Sequence, residues 1–334
     1  MQSDHARAGG AAAPVVAVVT TYSPPDDLPG RLVQLAEQVD EVVVVDDGSP
    51  GGVPGAGAAL AAHGVHVIAL PVNSGIATAL NRGIAEVRRR HPHAWVLTLD
   101  QDSSLDPGYV EAALRRFTAA EAVGLRPAAV AAGAINDRPV PAEASTAGEV
   151  LAYDPIQSGL LVPTATFDAI GLFDETLFID LVDTEFWLRA RAAGMVVVAA
   201  PESRIRHRIG TPRPMRLGPV TVRVGGRQLD VPVQRPFRVY YMVRNTLVVG
   251  RRYARRFPRL VARRVAREAA QHAARLLWGP QRGALALAMA SGVRDALRGR
   301  SGVIPARTRA RLAGRRADDG AAPAGSGGQA AASA

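Results

Sequence analysis

The sequence contains neither cysteine nor lysine, and each absence removes whole classes of protein from consideration. Without cysteine there is no disulfide bond, no thiolate nucleophile and no zinc site built on cysteine ligands. All 40 basic residues are arginine, so the lysine that P-loop kinases and Schiff-base enzymes need is missing.

Long apolar segments are missing as well. No run reaches the roughly 18 residues of a membrane-spanning helix, and residues 1–13 lack the apolar core of a signal peptide. These absences predict a cytoplasmic protein with a disordered start. Residues 317–334 are rich in alanine, glycine and serine, so a disordered tail is expected there too.

Charge is divided unevenly along the chain, whose formal net charge is +10. Residues 1–234 carry 19 arginines against 26 acidic residues, whereas residues 235–316 carry 21 arginines against only Glu268 and Asp295. With 334 residues the chain is long enough for one large domain with an appendage. The acidic body and the basic C-terminal region therefore need separate explanations.

Short β-branched runs alternate with helical stretches through the first part of the chain. Apolar runs at 14–21, 41–45 and 65–70 are typical of strands buried on both faces, and helices are predicted between them at 28–39 and 58–63. This alternation predicts right-handed βαβ units and an α/β fold, with a mostly parallel central sheet and flanking helices.

Polar residues follow three of the predicted strands where each strand ends. The three clusters are Thr20 with Thr21, Asp46 with Asp47, and Asp100 with Asp102 after the apolar run at 95–99. Ligands of parallel sheets bind at the carboxyl ends of the strands, so the clusters are expected to share one crevice. An ordinary turn explains any one cluster, but it explains all three less well.

Asp100 and Asp102 flank a single residue, so an extended backbone directs both carboxylates to the same side. Carboxylates are hard oxygen ligands that suit Mg²⁺ or Mn²⁺, and these ions in turn suit diphosphates. The alternative is that both residues only make a turn, as aspartate and serine often do at strand ends.

Asn73 and Gly75 precede a helix predicted from about Ile76. The N-terminus of a helix beside the strand ends offers N–H groups and a positive dipole end to a phosphate. A plain capped helix without a ligand is an equally good interpretation of this segment by itself.

Asp183 precedes a predicted helix that buries Phe186 and Trp187, and His207 lies beyond a strand predicted at 195–200. For Asp183 the alternative to a functional carboxylate is a helix N-cap, and for Glu185 it is compensation of the helix dipole. A lone histidine such as His207 is more often a surface or core residue than a ligand.

Further elements complete the predicted organisation. They are a helix at 107–122, a strand at 130–134, a surface loop at 136–149, a short helix from Thr164 and a hairpin of 220–224 with 228–233.

An amphipathic helix is predicted at 259–278. One arc of its surface holds Arg259, Arg263, Arg264, Arg267 and Arg275, and the opposite arc holds Val261, Val265, Ala269, Ala273 and Leu276. Two interpretations stay open: the helix binds an anionic membrane surface, or its apolar arc docks on the body and leaves the arginines in solvent.

The order of the motifs resembles a known family. The segments TTYSP, VVVVDDGS, NSGIATALNRGI, LTLDQDSS, GLFDETLFIDLVDTEFWLRARAAG and YYMVRN together resemble inverting nucleotide-sugar glycosyltransferases of the GT-A fold, family 2. The LDQDS and FIDLVDTEFWLRA segments are most similar to the bacterial rhamnosyltransferase branch. The resemblance spans residues 15–247, which implies a GT-A domain at 14–247 and leaves an arginine-rich helical extension at 248–316.

The resemblance also implies roles for individual residues. Its nucleotide-sugar site would comprise Thr20, Tyr22, Asp46, Asp47, Asn73, Gly75, Asp100 and Gln101. Its metal site for Mg²⁺ or Mn²⁺ would comprise Asp102, the more direct ligand, with Asp100 and His207. Asp183 would be the general base. Residues near the acceptor or the bound sugars would be Ser158, Gly159, Asp180, Glu185, Arg244 and Asn245.

The implied reaction is metal-dependent transfer of L-rhamnose from dTDP-L-rhamnose, with inversion, to a growing cell-surface glycan or polyprenyl-linked acceptor. UDP-galactofuranose or a UDP-hexose are the alternative donors. The implied partners are the nucleotide sugar, the glycan acceptor and an anionic membrane surface, and nucleic acid is not among them.

Three competing interpretations carry less weight. A phosphatase of the haloacid dehalogenase type also uses Asp-x-Asp, but on its first strand and with a lysine that this chain lacks. A nucleic-acid-binding protein would explain the basic C-terminal region, but the sequence has no known binding module and its acidic body would repel DNA. An inactive glycosyltransferase-like scaffold is disfavoured because Asp102 and Asp183 are both present.

Overall fold

The computed structural model describes residues 13–145, 147–207, 213–217, 220–225, 227–231 and 233–314. The predicted disordered segments at 1–13 and 317–334 lie outside the described residues, except for Ala13.

A large mixed sheet forms the centre of the molecule. Its strands are β1 (Val15–Thr21), β2 (Glu41–Asp46), β3 (Val65–Ala69), β4 (Trp95–Asp100), β5 (Ser103–Leu105), β6 (Pro127–Ile135), β7 (Arg138–Pro139), β8 (Ala142–Ala144), β9 (Val150–Ala152), β10 (Leu160–Pro163) and β11 (Val196–His207). The order across the sheet is β3-β2-β1-β4-β10-β6-β11-β9-β8, with β5 paired to β11 and β7 to β6. Strands β1 to β4 are parallel, and β10 runs antiparallel between β4 and β6.

Helices cover both faces of this sheet. They are α1 (Leu28–Ala36), α2 (Ala58–Ala61), α3 (Ile76–Arg90), α4 (Tyr109–Ala122), α5 (Thr164–Ile170) and α6 (Val182–Ala192). Val16 and Val18 of β1 pack into the core beside α3, α5 and α6, whereas Val15, Ala17 and Val19 pack into the core beside α1, α2 and α4. The continuous apolar runs are therefore explained by burial on both faces, as predicted.

The prediction of a surface loop at 136–149 is wrong in part. It contains β7 and β8, and β8 pairs with β9 at the edge of the sheet. These strands have two and three residues, and so short a segment leaves no periodic pattern in the sequence.

The predicted hairpin at 220–233 is part of a larger arrangement. Its turn is present, because β15 (Arg223–Val224) pairs with β16 (Arg227–Gln228). The flanking strands pair with residues upstream: β14 (Val220–Thr221) with β13 (Arg216–Leu217), and β17 (Asp230–Val231) with β12 (Arg213–Pro214).

Among the described residues, the C-terminal part consists of the helices α7 (Pro236–Tyr253), α8 (Pro258–Trp278), α9 (Arg282–Leu297) and α10 (Ala306–Gly314). Val239, Tyr240 and Leu285 belong to an apolar cluster shared by α7, α9 and α10. α7 continues across residue 247, where the sequence suggested a boundary between body and extension. No described helix is long and apolar enough to cross a membrane.

The predicted extent of α8 is confirmed, and Val261 and Leu276 of the apolar arc pack against apolar clusters, but its predicted faces are wrong in part. Arg275 is buried, and Arg264 pairs with the buried carboxylate of Asp154 on the body. Val265 of the apolar arc is 37% exposed. A helical projection shows which residues share a face, but it contains no information on the carboxylates that meet that face. Short alanine side chains also gain little from burial.

Candidate active site

The ends of three neighbouring strands meet at one edge of the sheet, as the sequence predicted. In the parallel register Thr20 of β1 lies opposite Asp100 of β4, and Thr21 lies opposite Asp46 of β2. The Thr21 hydroxyl donates a hydrogen bond of 3.1 Å to Asp46. The polar clusters therefore line a common crevice, at the edge where ligands of parallel sheets bind.

Asp100, Asp102 and His207 form a candidate metal centre in this crevice. One ligand atom from each lies within 4.8 Å of the others, and all three residues are half-buried. His207 Nδ1 is 3.2 Å from Asp102 Oδ1. Two carboxylates and an imidazole are a donor set that a divalent cation such as Mn²⁺ accepts.

The electrostatics at Asp100 also fit a cation. The pKa of Asp100 is raised to about 6, mainly by burial; His207 opposes the increase, whereas Asp102 and Asp183 contribute to it. Carboxylates gathered in a partly buried site repel one another, and a divalent cation between them would remove that repulsion.

Neighbouring side chains hold this centre in place. The Asp100 backbone N–H donates to Ser158 Oγ over 3.1 Å, and Ser158 Oγ donates to Ser103 Oγ over 2.8 Å. Ser103 Oγ is in turn 2.8 Å from His207 Nδ1. Ser158 thus lies behind the candidate metal ligands as part of their support, and such partners orient the ligands they touch.

Gln157 is a site residue that sequence reasoning missed. It is buried, and its side-chain amide donates to Asp100 Oδ1 over 2.5 Å. Its position directly before Ser158 in the Ile-Gln-Ser-Gly segment was the available signal.

Asp47 holds the loop before α3 in place. Its carboxylate accepts hydrogen bonds from the backbone N–H groups of Ser74, at 2.7 Å, and Gly75, at 2.8 Å. Asp46 is likewise occupied, because Thr21 and Ser49 donate to it. Both carboxylates are buried and shape the predicted nucleotide pocket from within.

Three predicted nucleotide-site residues remain available at the rim of the crevice. Tyr22 is 43% exposed, and its backbone N–H donates to Gln101 Oε1 over 2.8 Å, which ties the first strand end to the candidate metal motif. Asn73 Oδ1 is buried without a hydrogen-bond partner among the described residues. An orphaned acceptor of this kind is a position where a ligand donor fits.

A strained loop links the nucleotide side of the crevice to α6. Phe178, Asp180 and Leu181 have φ angles of 61°, 64° and 63°, which non-glycine residues rarely adopt. Each such residue costs on the order of 1–3 kcal/mol, so surrounding contacts must hold it. One contact is the hydrogen bond of 2.8 Å from Ile76 N–H to the Phe178 carbonyl.

Arg244 and Asn245 provide the other contacts to this loop. Asn245 Nδ2 donates to the carbonyls of Leu177 and Ile179, both at 2.8 Å, and to that of Asp180 at 2.9 Å. Arg244 donates to the Leu177 carbonyl over 3.3 Å. Both residues are buried behind the loop, where they hold it rather than line the crevice.

Asp183 lies in the first turn of α6, at the end of the strained loop. Leu181 occupies the N-cap position, so the alternative interpretation of Asp183 as the cap is wrong. Its Oδ1 accepts from the Thr184 N–H over 2.8 Å. The pKa of Asp183 is raised to about 6, mainly by burial; Asp154 also contributes to the increase, and Arg264 opposes it. A carboxylate with such a pKa is suited to accept a proton near neutral pH.

Arg238 is a second residue that the sequence did not reveal. Its guanidinium donates to Asp180 over 2.6 Å and 3.4 Å, which is a bidentate contact. The charges of Asp180, Asp100 and Asp183 all raise the pKa of Arg238, so it is a fixed positive charge beside the candidate site.

Glu185 and Gly159 stand apart from the crevice. The Glu185 carboxylate is 2% exposed and pairs with Arg189 at 2.9 Å and Arg252 at 3.2 Å. Gly159, with φ of 87°, accommodates Tyr109, whose hydroxyl would lie 2.9 Å from a Cβ at residue 159. The structure thus brings neither residue together with Asp100 and Asp183.

Residues 16–158 match the family model described as Glycosyl transferase family 2. A glycosyl transferase family 2 domain thus accounts for residues 16–158. The matched segment includes the Asp100–Asp102 motif and ends at Ser158, before the strained loop and Asp183.

A curated relative supports the same assignment. The dTDP-rhamnosyl transferase RfbF of Shigella flexneri is 28% identical over 252 residues, which is 71% of this chain and 80% of the relative. The predicted family and the predicted enzyme class are confirmed: the chain is a glycosyltransferase with a rhamnosyltransferase homologue.

A solved structure supports the fold. The crystal structure of TarS from S. aureus matches with a TM-score of 0.52 and 17% identity, over 92% of this chain and 53% of that chain. This chain thus spans about half the length of that TarS structure. The predicted α/β fold of the GT-A type, with flanking helices and a helical C-terminal part, is confirmed, and its predicted mostly parallel sheet is mixed.

Proposed function

We propose that this protein is a metal-dependent inverting rhamnosyltransferase that uses dTDP-L-rhamnose as its donor. The observation that carries the proposal is one half-buried carboxylate, Asp183, whose negative charge acts on Asp100 in the candidate metal centre. An inverting displacement needs one base and no protein nucleophile, which is what this arrangement offers. The donor is proposed because of the similarity to the dTDP-rhamnosyl transferase of S. flexneri.

Asp100, Asp102 and His207 would hold the cation, which when bound supplies positive charge to the departing diphosphate. Arg238, which stays protonated, adds a fixed positive charge beside the candidate site. Asn73 and the N–H groups at the start of α3 would bind the nucleotide part of the donor.

Asp183 would act on the acceptor. An acceptor hydroxyl oxygen forms a bond to the anomeric carbon while the bond from that carbon to the diphosphate oxygen breaks, and the bonding electron pair leaves with the diphosphate. The hydroxyl proton passes to the Asp183 carboxylate. Attack opposite the leaving group inverts the anomeric configuration.

The donor can be tested by titrating the protein calorimetrically with dTDP-L-rhamnose, UDP-galactofuranose and UDP-glucose in the presence of Mn²⁺, and by measuring nucleoside diphosphate release for each. We expect the thymidine nucleotide sugar to bind most tightly and to turn over fastest. Preference for either uridine nucleotide sugar would contradict the proposed donor, and release from none of them would contradict the proposed activity.

We also propose that the outer face of α8 brings the enzyme to the inner face of the cytoplasmic membrane, where a polyprenyl-linked glycan acceptor resides. Val265 and Leu277 of this helix are 37% and 58% exposed, and Arg255 and Arg259, just before and at its N-terminal end, are exposed as well. An arginine near an anionic surface contributes about 1 kcal/mol, so a few of them give reversible binding. Val265 and Leu277 leave apolar surface available to a membrane, although Val261 of the apolar arc packs on the body.

Membrane binding can be tested by co-sedimentation with vesicles that contain phosphatidylglycerol, at physiological salt. Wild-type protein should pellet, whereas the Val265→Gln/Leu277→Gln double variant should pellet far less. Val123→Gln, at a residue 48% exposed beyond α4, is the matched control and should pellet like wild type. Wild-type protein that stays in the supernatant would contradict the proposal. Truncation is less suitable, because it removes Tyr253, whose hydroxyl donates to buried Glu185.

A further inference from the structure

Two arginines of the C-terminal helix α8 form ion pairs with Asp154, a buried carboxylate on the body. Arg264 Nη1 donates to Asp154 Oδ2, and Arg267 Nη2 donates to the same oxygen over 2.7 Å. The Asp154 side chain is 5% exposed, and the Arg264 side chain is 20% exposed. This cluster ties α8 to a segment far away in sequence.

The same carboxylate also bonds Thr184, the residue that follows the proposed general base. Asp154 Oδ1 accepts from the Thr184 hydroxyl over 2.6 Å, and that hydroxyl also accepts from Arg264 Nη1 over 3.0 Å. The backbone N–H of Thr184 donates to Asp183 Oδ1 over 2.8 Å. Hydrogen bonds therefore link α8 and Asp154 to the side chain of Thr184, and the backbone of the same residue donates to Asp183.

We propose that Asp154 and Arg264 are positioning residues for Asp183, so that the C-terminal helix α8 completes the active site. The proposal rests on the proposed role of Asp183 as general base. It gives the arginine-rich extension a function in the reaction that is independent of membrane binding.

The two positioning residues bear opposite charges, and Asp183 responds to both. Asp154 raises the pKa of Asp183 and Arg264 lowers it, and Asp180 raises it as well. From the other side, Asp100 and Arg238 are each coupled to Asp183. Burial is the largest of these effects on the pKa of Asp183, and Asp154 and Arg264 act on it in opposite directions.

Removing one member should therefore leave an uncompensated charge beside the base. Arg264→Gln leaves the negative charge of Asp154, which raises the pKa of Asp183. Asp154→Asn leaves the positive charge of Arg264, which lowers it. A role that is only structural, as a clip that packs α8 on the body, predicts loss of stability without these opposite changes.

The test is the pH dependence of kcat for hydrolysis of dTDP-L-rhamnose by water with Mn²⁺, for the full-length protein. The acidic limb is assigned to Asp183 if it is absent from the residual rate of Asp183→Asn. We expect the midpoint of this limb to move up by about one pH unit in Arg264→Gln and down by a similar amount in Asp154→Asn. Arg264→Lys, which keeps the charge, should restore a midpoint close to that of wild type.

Two variants serve as comparisons. Arg267 shares the Asp154 oxygen, but its side chain is 41% exposed, so Arg267→Gln should move the midpoint less than Arg264→Gln. Arg251, exposed near the end of α7, is the neutral control, and Arg251→Gln should leave the midpoint unchanged. Circular dichroism and melting temperature establish that each variant is folded.

Folded Arg264→Gln and Asp154→Asn variants whose midpoints do not move, or move in the same direction, would overturn the inference and leave the proposed function intact. A variant that fails to fold is replaced by its conservative partner, Arg264→Lys or Asp154→Glu, whose midpoint is then compared with wild type. If Asp183→Asn keeps the rate and the limb of wild type, the proposed function fails instead.

Discussion

Gly75 and Phe178 meet at the contact that joins the nucleotide side of the crevice to the strained loop. A Cβ at residue 75 would lie 2.5 Å from the Phe178 carbonyl oxygen, and Gly75 itself has a φ of 97°. The start of α3 and the loop that leads to Asp183 therefore approach each other more closely than any other residue at position 75 would allow.

We predict that Gly75→Ala lowers turnover of the donor by at least about tenfold, because the added methyl group pushes the strained loop away from the start of α3. The variant should also lose stability, since strain at a positive φ costs about 1 kcal/mol before any clash. Turnover and melting temperature are the measurements.

The matched control is Gly108→Ala. Gly108 has a φ of 76°, but a Cβ there meets nothing within 4 Å, so the variant isolates the backbone strain. It should lose a comparable part of the stability and keep its turnover. Equal losses of turnover in both variants would show that the contact with Phe178 is unimportant.

Asp102→Asn should abolish metal-dependent transfer, because it removes a charged ligand from the candidate metal centre while keeping the size of the side chain. Calorimetric titration with Mn²⁺ and turnover with and without a chelator are the measurements. Asp106→Asn is the control: its carboxylate, in the same segment, pairs with Arg206 at 2.9 Å. Near-normal turnover of Asp102→Asn in the presence of chelator would remove the metal from the proposed mechanism.

Asp183→Asn should lower kcat by about 10²–10⁴-fold, because the amide cannot accept the acceptor proton. Binding of the nucleotide sugar should change little. A variant with normal kcat and weakened donor binding would identify Asp183 as a binding residue.

Glu185→Gln is the natural comparison, because this acid lies in the same turn of α6. Its carboxylate accepts from the Tyr253 hydroxyl over 2.8 Å and pairs with Arg189 and Arg252. Breaking such a buried network destabilises the fold. We therefore expect a lower melting temperature with kcat largely retained, the opposite of the Asp183→Asn result.

The rate should also depend on pH in a defined direction. Burial raises the pKa of Asp183 to about 6, so the base is protonated and inactive below that pH and becomes competent as the pH rises through it. The kcat profile should rise between about pH 5 and 7 and then level off. A rate that is flat across this range would mean that no group with this pKa acts as the base.

Asn245→Leu should lower kcat through the strained loop rather than through contact with substrate. The variant removes the donors to the carbonyls of Leu177, Ile179 and Asp180 while keeping a side chain of similar size. Thr246→Val is the neighbouring control, since Thr246 Oγ1 is buried without a partner among the described residues. We expect Thr246→Val to retain both kcat and stability, and equal kcat values for the two variants would contradict the role of Asn245.

The sequence by itself determined the sheet and the position of the crevice. Continuous β-branched runs such as 15–19 can only be buried on both faces, which requires parallel strands covered by helices. Parallel strands place their carboxyl ends at one edge, so Thr20 and Asp100 had to become neighbours. These inferences need only local patterns, and they did not depend on which helix packs where.

Only the tertiary structure decided which charged side chains serve the site and which serve the fold. Glu185 and Asp183 are two residues apart, yet one is enclosed by arginines of α6 and α7 and the other approaches the crevice. Arg264 was predicted to lie on a solvated or membrane-facing arc, yet it pairs with Asp154, 110 residues away. The energy of a charged side chain depends on the partners that the folded chain brings to it, and periodicity along one helix carries no record of them.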